Sequence, residues 1–143
     1  MRHGCYDVIL DVGANVGQFV NEVRRLYKYD KRIISFEPIR EAFDILKQQH
    51  ETDPLWKGFN LALGDEESSS YINISKHSAS SSILNFNDQY LVRYKELDTI
   101  DKQEIQIVTL DGLYDKIIHR TQEKVLLKID TQGYEMKIGR AHV

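Results

Sequence analysis

Three places in this 143-residue chain combine acids and glycines in a way that could do chemistry: Asp11 to Gly17, Glu37 with Pro38, and Asp130. The first, Asp11-Val-Gly-Ala-Asn-Val-Gly17, follows an apolar run at 8–10. It precedes a helical pattern that sets Phe19, Val20, Val23, Leu26 and Tyr27 on one face. Strand, glycine turn and helix form the opening unit of a nucleotide-binding α/β sheet. Gly13 permits the tight turn, Gly17 lets the helix pack close to the strand, and the helix N-terminus points at the ligand. Asn15, after Ala14, either caps that helix or takes a left-handed turn conformation.

The glycine spacing bears on the ligand. A dinucleotide fingerprint needs G-x-G-x-x-G, so that bare backbone can approach a pyrophosphate. Counted from Gly13, the second and third positions are Asn15 and Gln18, and both carry side chains. Asp11 adds negative charge where a pyrophosphate would sit. A ligand with an amine and no phosphates fits better, and S-adenosylmethionine is one. A nicotinamide-dependent oxidoreductase stays open as the alternative, and so does an ordinary strand–helix turn in a non-catalytic module.

Glu37 stands 20 residues after Gly17, the spacing at which an acid ending the second strand accepts from ribose hydroxyls. It could equally be a helix-start acid favoured by the dipole. Pro38 suits a first helical turn. Leu61 and Ala62, at the end of a third apolar run, are placed to line an adenine ring. Asp130 ends another buried run, and Gly133 follows where the backbone must turn. With the first and fourth strands as neighbours, Asp130 faces Asp11, and two acids there can hold an ammonium group. Either could also take a proton from a hydroxyl nucleophile. Helix capping is the competing role for Asp130. Lys128 reads as an ion-pair partner or an edge residue. The five histidines show no metal-ligand spacing.

The elements that must position these residues alternate. Strands are expected at 8–10, 32–36, 59–63 and 125–129, with helices after the first two, in the order 3-2-1-4 of a parallel sheet. Trp56 is expected at the surface or an edge. Residues 64–82, with eight serines, read as an irregular excursion carrying a short exposed strand at Ile72 and Ile74. Ile105, Ile107 and Val108 suggest a further strand, and 110–118 a helix capped near Thr109 or Asp111. Segment 85–101 is expected to be partly helical. Hydrophobic content of 41% and a net charge of −3 suit a soluble domain without a nucleic-acid footprint. One cysteine excludes an internal disulfide and agrees with a reducing, cytoplasmic setting. No apolar run reaches membrane-spanning length.

Six stretches in order carry a resemblance: 11–19, Phe36-Glu-Pro38, 60–64, Ser81-Ser-Ile-Leu84, Thr109-Leu-Asp111 and 127–135. Together they resemble the FkbM-type methyltransferase family. The resemblance implies a class I methyltransferase (Rossmann-like) fold, an α/β parallel sheet with helices on both faces. It also implies S-adenosylmethionine as methyl donor and a hydroxyl acceptor on a sugar or secondary metabolite. By it, Asp11, Gly13, Asn15, Gly17 and Glu37 match the cofactor motifs and Asp130 the fourth-strand acid. Gln132 stands where an acid is common in the family. The pattern breaks after Glu135, and 138–143 reads like a sequence encoded by a library adapter. Residues 1–137 are therefore expected to be a partial domain lacking the C-terminal strands, and 138–143 a non-native tail.

Overall fold

The structure, a computed structural model, describes residues 6–75, 100–119 and 122–130. Expectations for segment 85–99, the Ser81–Leu84 motif, Gln132, Gly133 and the tail lie outside the described residues.

The main sheet is parallel, in the order β3-β2-β1-β7, with β1 at Val8–Val12, β2 at Arg32–Phe36, β3 at Trp56–Phe59 and β7 at Val125–Ile129. This is the expected 3-2-1-4 order. β1 is buried along its whole length because it is central and covered on both faces, which explains the apolar run Val8 to Leu10. Its even-numbered residues Val8, Leu10 and Val12 join Ile34 and Phe36 on one face. Ile9 and Ile33 face the other way, onto Val20 and Val23 of helix α1 (Gln18–Arg25) and Leu46 of helix α2 (Arg40–His50). Each fully buried Val, Leu or Ile of this set contributes about 1.5–3 kcal/mol.

The opposite face is covered by a second sheet, β4-β6-β5, formed by β4 (Ala62–Gly64), β5 (Ser68–Ser75) and β6 (Ile100–Thr109). Helix α3 (Leu110–Ile117) adds Leu110 and Ile117 to that core. Helices thus flank the sheet on both faces, one face being shared with a small sheet. The hydroxyl of Thr109 accepts from Gly112 N at 3.0 Å and caps α3, one of the two residues expected to do so.

Three expectations are corrected. The third strand does not run 59–63. It begins at Trp56 and ends at Phe59, and the chain then crosses to β4 in the other sheet. Asn60 makes the break: its side-chain amide donates to Glu37 O and Pro38 O, at 2.8 and 3.0 Å, and holds the chain at the carboxyl end of β2. Secondly, Ile72 is not exposed but 1% accessible, because β5 pairs antiparallel with β6 and turns that face inward. Thirdly, Pro38 precedes α2 instead of opening it, since Ile39 is the N-cap and the helix starts at Arg40. Trp56 does lie on the edge strand β3, but its indole turns in over Gly58, the one position whose added Cβ it would strike.

Candidate active site

The carboxyl ends of β1, β2 and β7 converge on one cluster. Gly13 N and Ala14 N both donate to Phe36 O at 3.0 Å, which draws the turn against the end of β2. Gly13, Asn15 and Gly17 all have positive φ, at 78°, 54° and 101°. Of the two roles open to Asn15, the left-handed one is observed, and Gly17 is the N-cap of α1. The space that glycine provides at 17 faces α2, not the strand: an added Cβ would lie 2.9 Å from Nε2 of His50 and 3.1 Å from Leu46.

Glu37 ties the turn to the second helix. Its Oε1 accepts from Asn15 N and its Oε2 from Ile39 N, both at 2.8 Å, and the residue is 5% exposed. The carboxylate therefore supports the turn and the start of α2 at once; of the two roles open to it, the helix-start one is observed. Each oxygen retains a second lone pair for a hydroxyl. Burial pushes the Glu37 carboxyl above its usual range, the two amides oppose this, and the nearby Asp11 charge adds to it.

Asp11 is fully buried on β1 and carries two partners. Nζ of Lys128 lies 3.0 Å from its Oδ1, and the Ser35 hydroxyl donates to its Oδ2 at 3.2 Å. Burial raises its carboxyl, the Lys128 ammonium and Ser35 counter this, and Asp130 adds a smaller push upward. Lys128 is thus both things expected of it: ion-pair partner and edge-strand residue. Asp130 follows β7, with its N donating to Val12 O at 2.9 Å, and its side chain is exposed.

Of the residues expected at the site, Asp11, Gly13, Ala14, Asn15, Gly17, Glu37, Pro38 and Asp130 share this end of the sheet. Leu61 follows Asn60 beside the Glu37–Pro38 loop, whereas Ala62 enters β4 and packs into the core at 5% exposure. Two participants were not anticipated. Ser35 was signalled only by being a hydroxyl inside an apolar strand. Gln103, whose amide donates to Pro38 O at 2.9 Å and whose Oε1 accepts from Arg40 N, comes from the second sheet. Asn60, in the motif at 60–64, acts as the clamp on the loop. Among the described residues no group of three or more His, Cys, Asp or Glu could hold a metal. No helix among them is long and apolar enough to cross a membrane.

A cavity of about 260 Å³ lies at the other end of the strands, lined by Asp7, Arg32, His119, Gln122 and Glu123. Its charges are engaged with one another: Arg32 with Glu123, and Asp7 with Lys31 and the Lys124 amide.

The family model of the methyltransferase FkbM domain matches residues 11–138. The fold is similar to a crystal structure of methyltransferase FkbM from Methylobacillus flagellatus KT, at TM-score 0.58 and 16% identity over 95% of this chain. The chain spans 28% of the length of that protein. No curated protein matches it significantly. With most of its length matched by the family model, the chain belongs to the FkbM methyltransferase family.

Proposed function

We propose that the carboxyl-end cluster binds S-adenosylmethionine and that the protein methylates a hydroxyl group of a small molecule or carbohydrate. The observation that carries this reading is Oδ1 of Asn15, buried in the turn without a hydrogen-bond partner. A buried acceptor left unpaired costs about 1–3 kcal/mol, so the site calls for a donor there. An ammonium or a ribose hydroxyl supplies one, whereas a pyrophosphate has none to give. The first turn of α1 carries no acid, and its N-cap makes no side-chain hydrogen bond.

When bound, S-adenosylmethionine would supply an electrophilic methyl group and leave as a neutral thioether. The protein's residues divide the remaining work. Gly13, Ala14 and Gly17 admit the ligand close to backbone. Glu37 accepts from the ribose with its spare lone pairs, and Leu61 flanks the base. Asp130, exposed at the rim, would take the proton that the acceptor hydroxyl gives up on methylation. Alignment of nucleophile and methyl accounts for up to ~7–11 kcal/mol in well-oriented systems. Base assistance adds roughly 10²–10⁴-fold.

Titration calorimetry tests the reading. S-adenosylhomocysteine should bind and NAD should not; micromolar NAD binding with no heat from the thioether would return the oxidoreductase alternative. Asp130→Asn should then lower turnover more than cofactor affinity, and full activity in that variant would remove its assigned role.

A further inference from the structure

One row of side chains crosses the whole main sheet. Gly58, Ser35, Asp11 and Lys128 are in register on β3, β2, β1 and β7. Over Gly58 lies the indole of Trp56, whose Nε1 donates to Ser35 Oγ at 3.0 Å. Ser35 donates on to Asp11, and Lys128 meets Asp11 from the far side. At one end of this row the Lys128 side chain is 24% exposed, and its Nζ lies 5.1 Å from the Phe19 ring centre on α1. The opposite end holds the single tryptophan of the chain.

We propose that Lys128 is a positioning residue of the cofactor site, serving as counter-cation to the two buried acids Asp11 and Glu37, and that Trp56 senses the state of Asp11 through Ser35. The proposal rests on the methyltransferase reading for its functional meaning, but the row itself exists without a ligand. Its physical basis is geometric: Asp11 is held out of water with Lys128 Nζ 3.0 Å from its Oδ1, and a second buried acid, Glu37, stands at the end of the adjacent strand, where the Asp11 charge disfavours its own. Lys128 is the cation that acts on both, and it lowers both carboxyls against the effect of burial. The charged groups facing the row are Asp11 on β1, Glu37 after β2, Asp130 after β7 and His50 on α2; α1 contributes Phe19 there. A protonated Asp11 would carry its hydrogen on Oδ2, away from Lys128. Ser35 would then have to accept where it now donates, and the indole beside it would register the change.

The first test needs no ligand. Trp56 fluorescence is followed against pH in the wild-type chain, Lys128→Met, Lys128→Gln, Lys128→Arg and Asp11→Asn. The wild type should show a step that Asp11→Asn abolishes; a separate step from His50, whose ring centre is 5.7 Å from the indole, should survive that change. The Asp11 step should move to higher pH in the Met and Gln variants and return in the Arg variant. Gln keeps a donor to Asp11 without the charge, so it reports even where Met fails to fold. An unmoved midpoint in the Gln variant would overturn the counter-cation role. In the second test, S-adenosylhomocysteine affinity at neutral pH should fall roughly tenfold in the Met and Gln variants, the loss expected for one charge-assisted interaction. The acid limb of binding should shift upward with the fluorescence. A moved fluorescence step with no wild-type thioether binding would sink the cofactor reading and leave the role of Lys128 standing. Unchanged affinity and limb in variants whose fluorescence moves would confine that role to the empty site.

Discussion

Asp7 and Asp11 belong to the same stretch of chain, four residues apart, yet the fold treats them in opposite ways. Asp7, at the amino end of β1, lies at the surface, accepts from the Lys124 amide at 2.8 Å and pairs with Lys31 at 3.3 Å. The backbone bond and the lysine hold its carboxyl below its ordinary value of 3.8. Asp11, at the carboxyl end, is fully buried, and burial raises its carboxyl despite Lys128 and Ser35. At one end of the sheet acids are consumed in tying loops together. At the other they are kept out of water beside an acceptor, Asn15 Oδ1, that the described protein leaves unpaired. Buried polar groups held against their solvation preference are the arrangement expected of a binding site.

The largest effect should come from Glu37→Ala. It leaves the part-buried amides of Asn15 and Ile39 without their acceptor and should cost about 2–6 kcal/mol, at ~1–3 kcal/mol per orphaned group. Thermal melts would check this. A loss below 1 kcal/mol would mean that the turn holds itself and that Glu37 is available for ligand alone.

Asp11→Ala should follow at about 1–3 kcal/mol, less than for a fully buried pair because Lys128 can turn to water. The same change at Asp7 should give a smaller, salt-sensitive loss. Equal losses at the two positions would break the contrast between the ends. The pH slopes sharpen it. The carboxyl of Asp7 is lowered by folding, so its contribution is present above 3.8 and lost as pH falls through the folded value. Asp11 and Glu37 are raised by folding, so theirs is present below the unfolded values and lost as pH rises through the folded ones. Chemical denaturation of Asp7→Asn and Asp11→Asn across about pH 3 to 7, the range in which carboxylates titrate, should change the slope in opposite senses.

Gly17→Ala should cost about 1–3 kcal/mol, because alanine at φ 101° is strained and its Cβ would press on His50. The smallest effect concerns His50 itself. Burial holds its imidazole below 6.5, so the unfolded chain binds the proton first and stability should fall as pH drops through 6.5. His50→Leu should remove that part of the slope, and a persistent slope would assign it to other groups.

Much of this was legible because local signals and the fold agree. The run Val8 to Leu10 is apolar because it is central, and the spacing of Phe19, Val20 and Val23 matches a helix laid over it. The glycine turn, the acid after β2 and the acid after β7 met at one end because parallel strands bring their carboxyl ends together. The reading failed where one side chain redirected the backbone. Asn60 looked like part of a strand, but its amide finds two carbonyls of the neighbouring loop and ends the strand at Phe59. Ile72 looked exposed because its strand is serine-rich, and only pairing with distant β6 buries it. Gln103 was illegible for the same reason: its partners, Pro38 and Arg40, lie more than 60 residues away in the chain.

The central claim is that ligand binds where the acids are buried and Asn15 is unpaired, not in the charged cavity at the opposite end. Backbone amide shifts of the labelled protein, followed by heteronuclear NMR while S-adenosylhomocysteine is added, test it most directly. The account predicts that the shifts concentrate at Gly13, Ala14, Asn15, Gly17, Glu37 and Ile39, with Asp7, Arg32 and Glu123 unmoved. Shifts gathered around Asp7, Arg32 and Glu123, with the glycine turn silent, would contradict it.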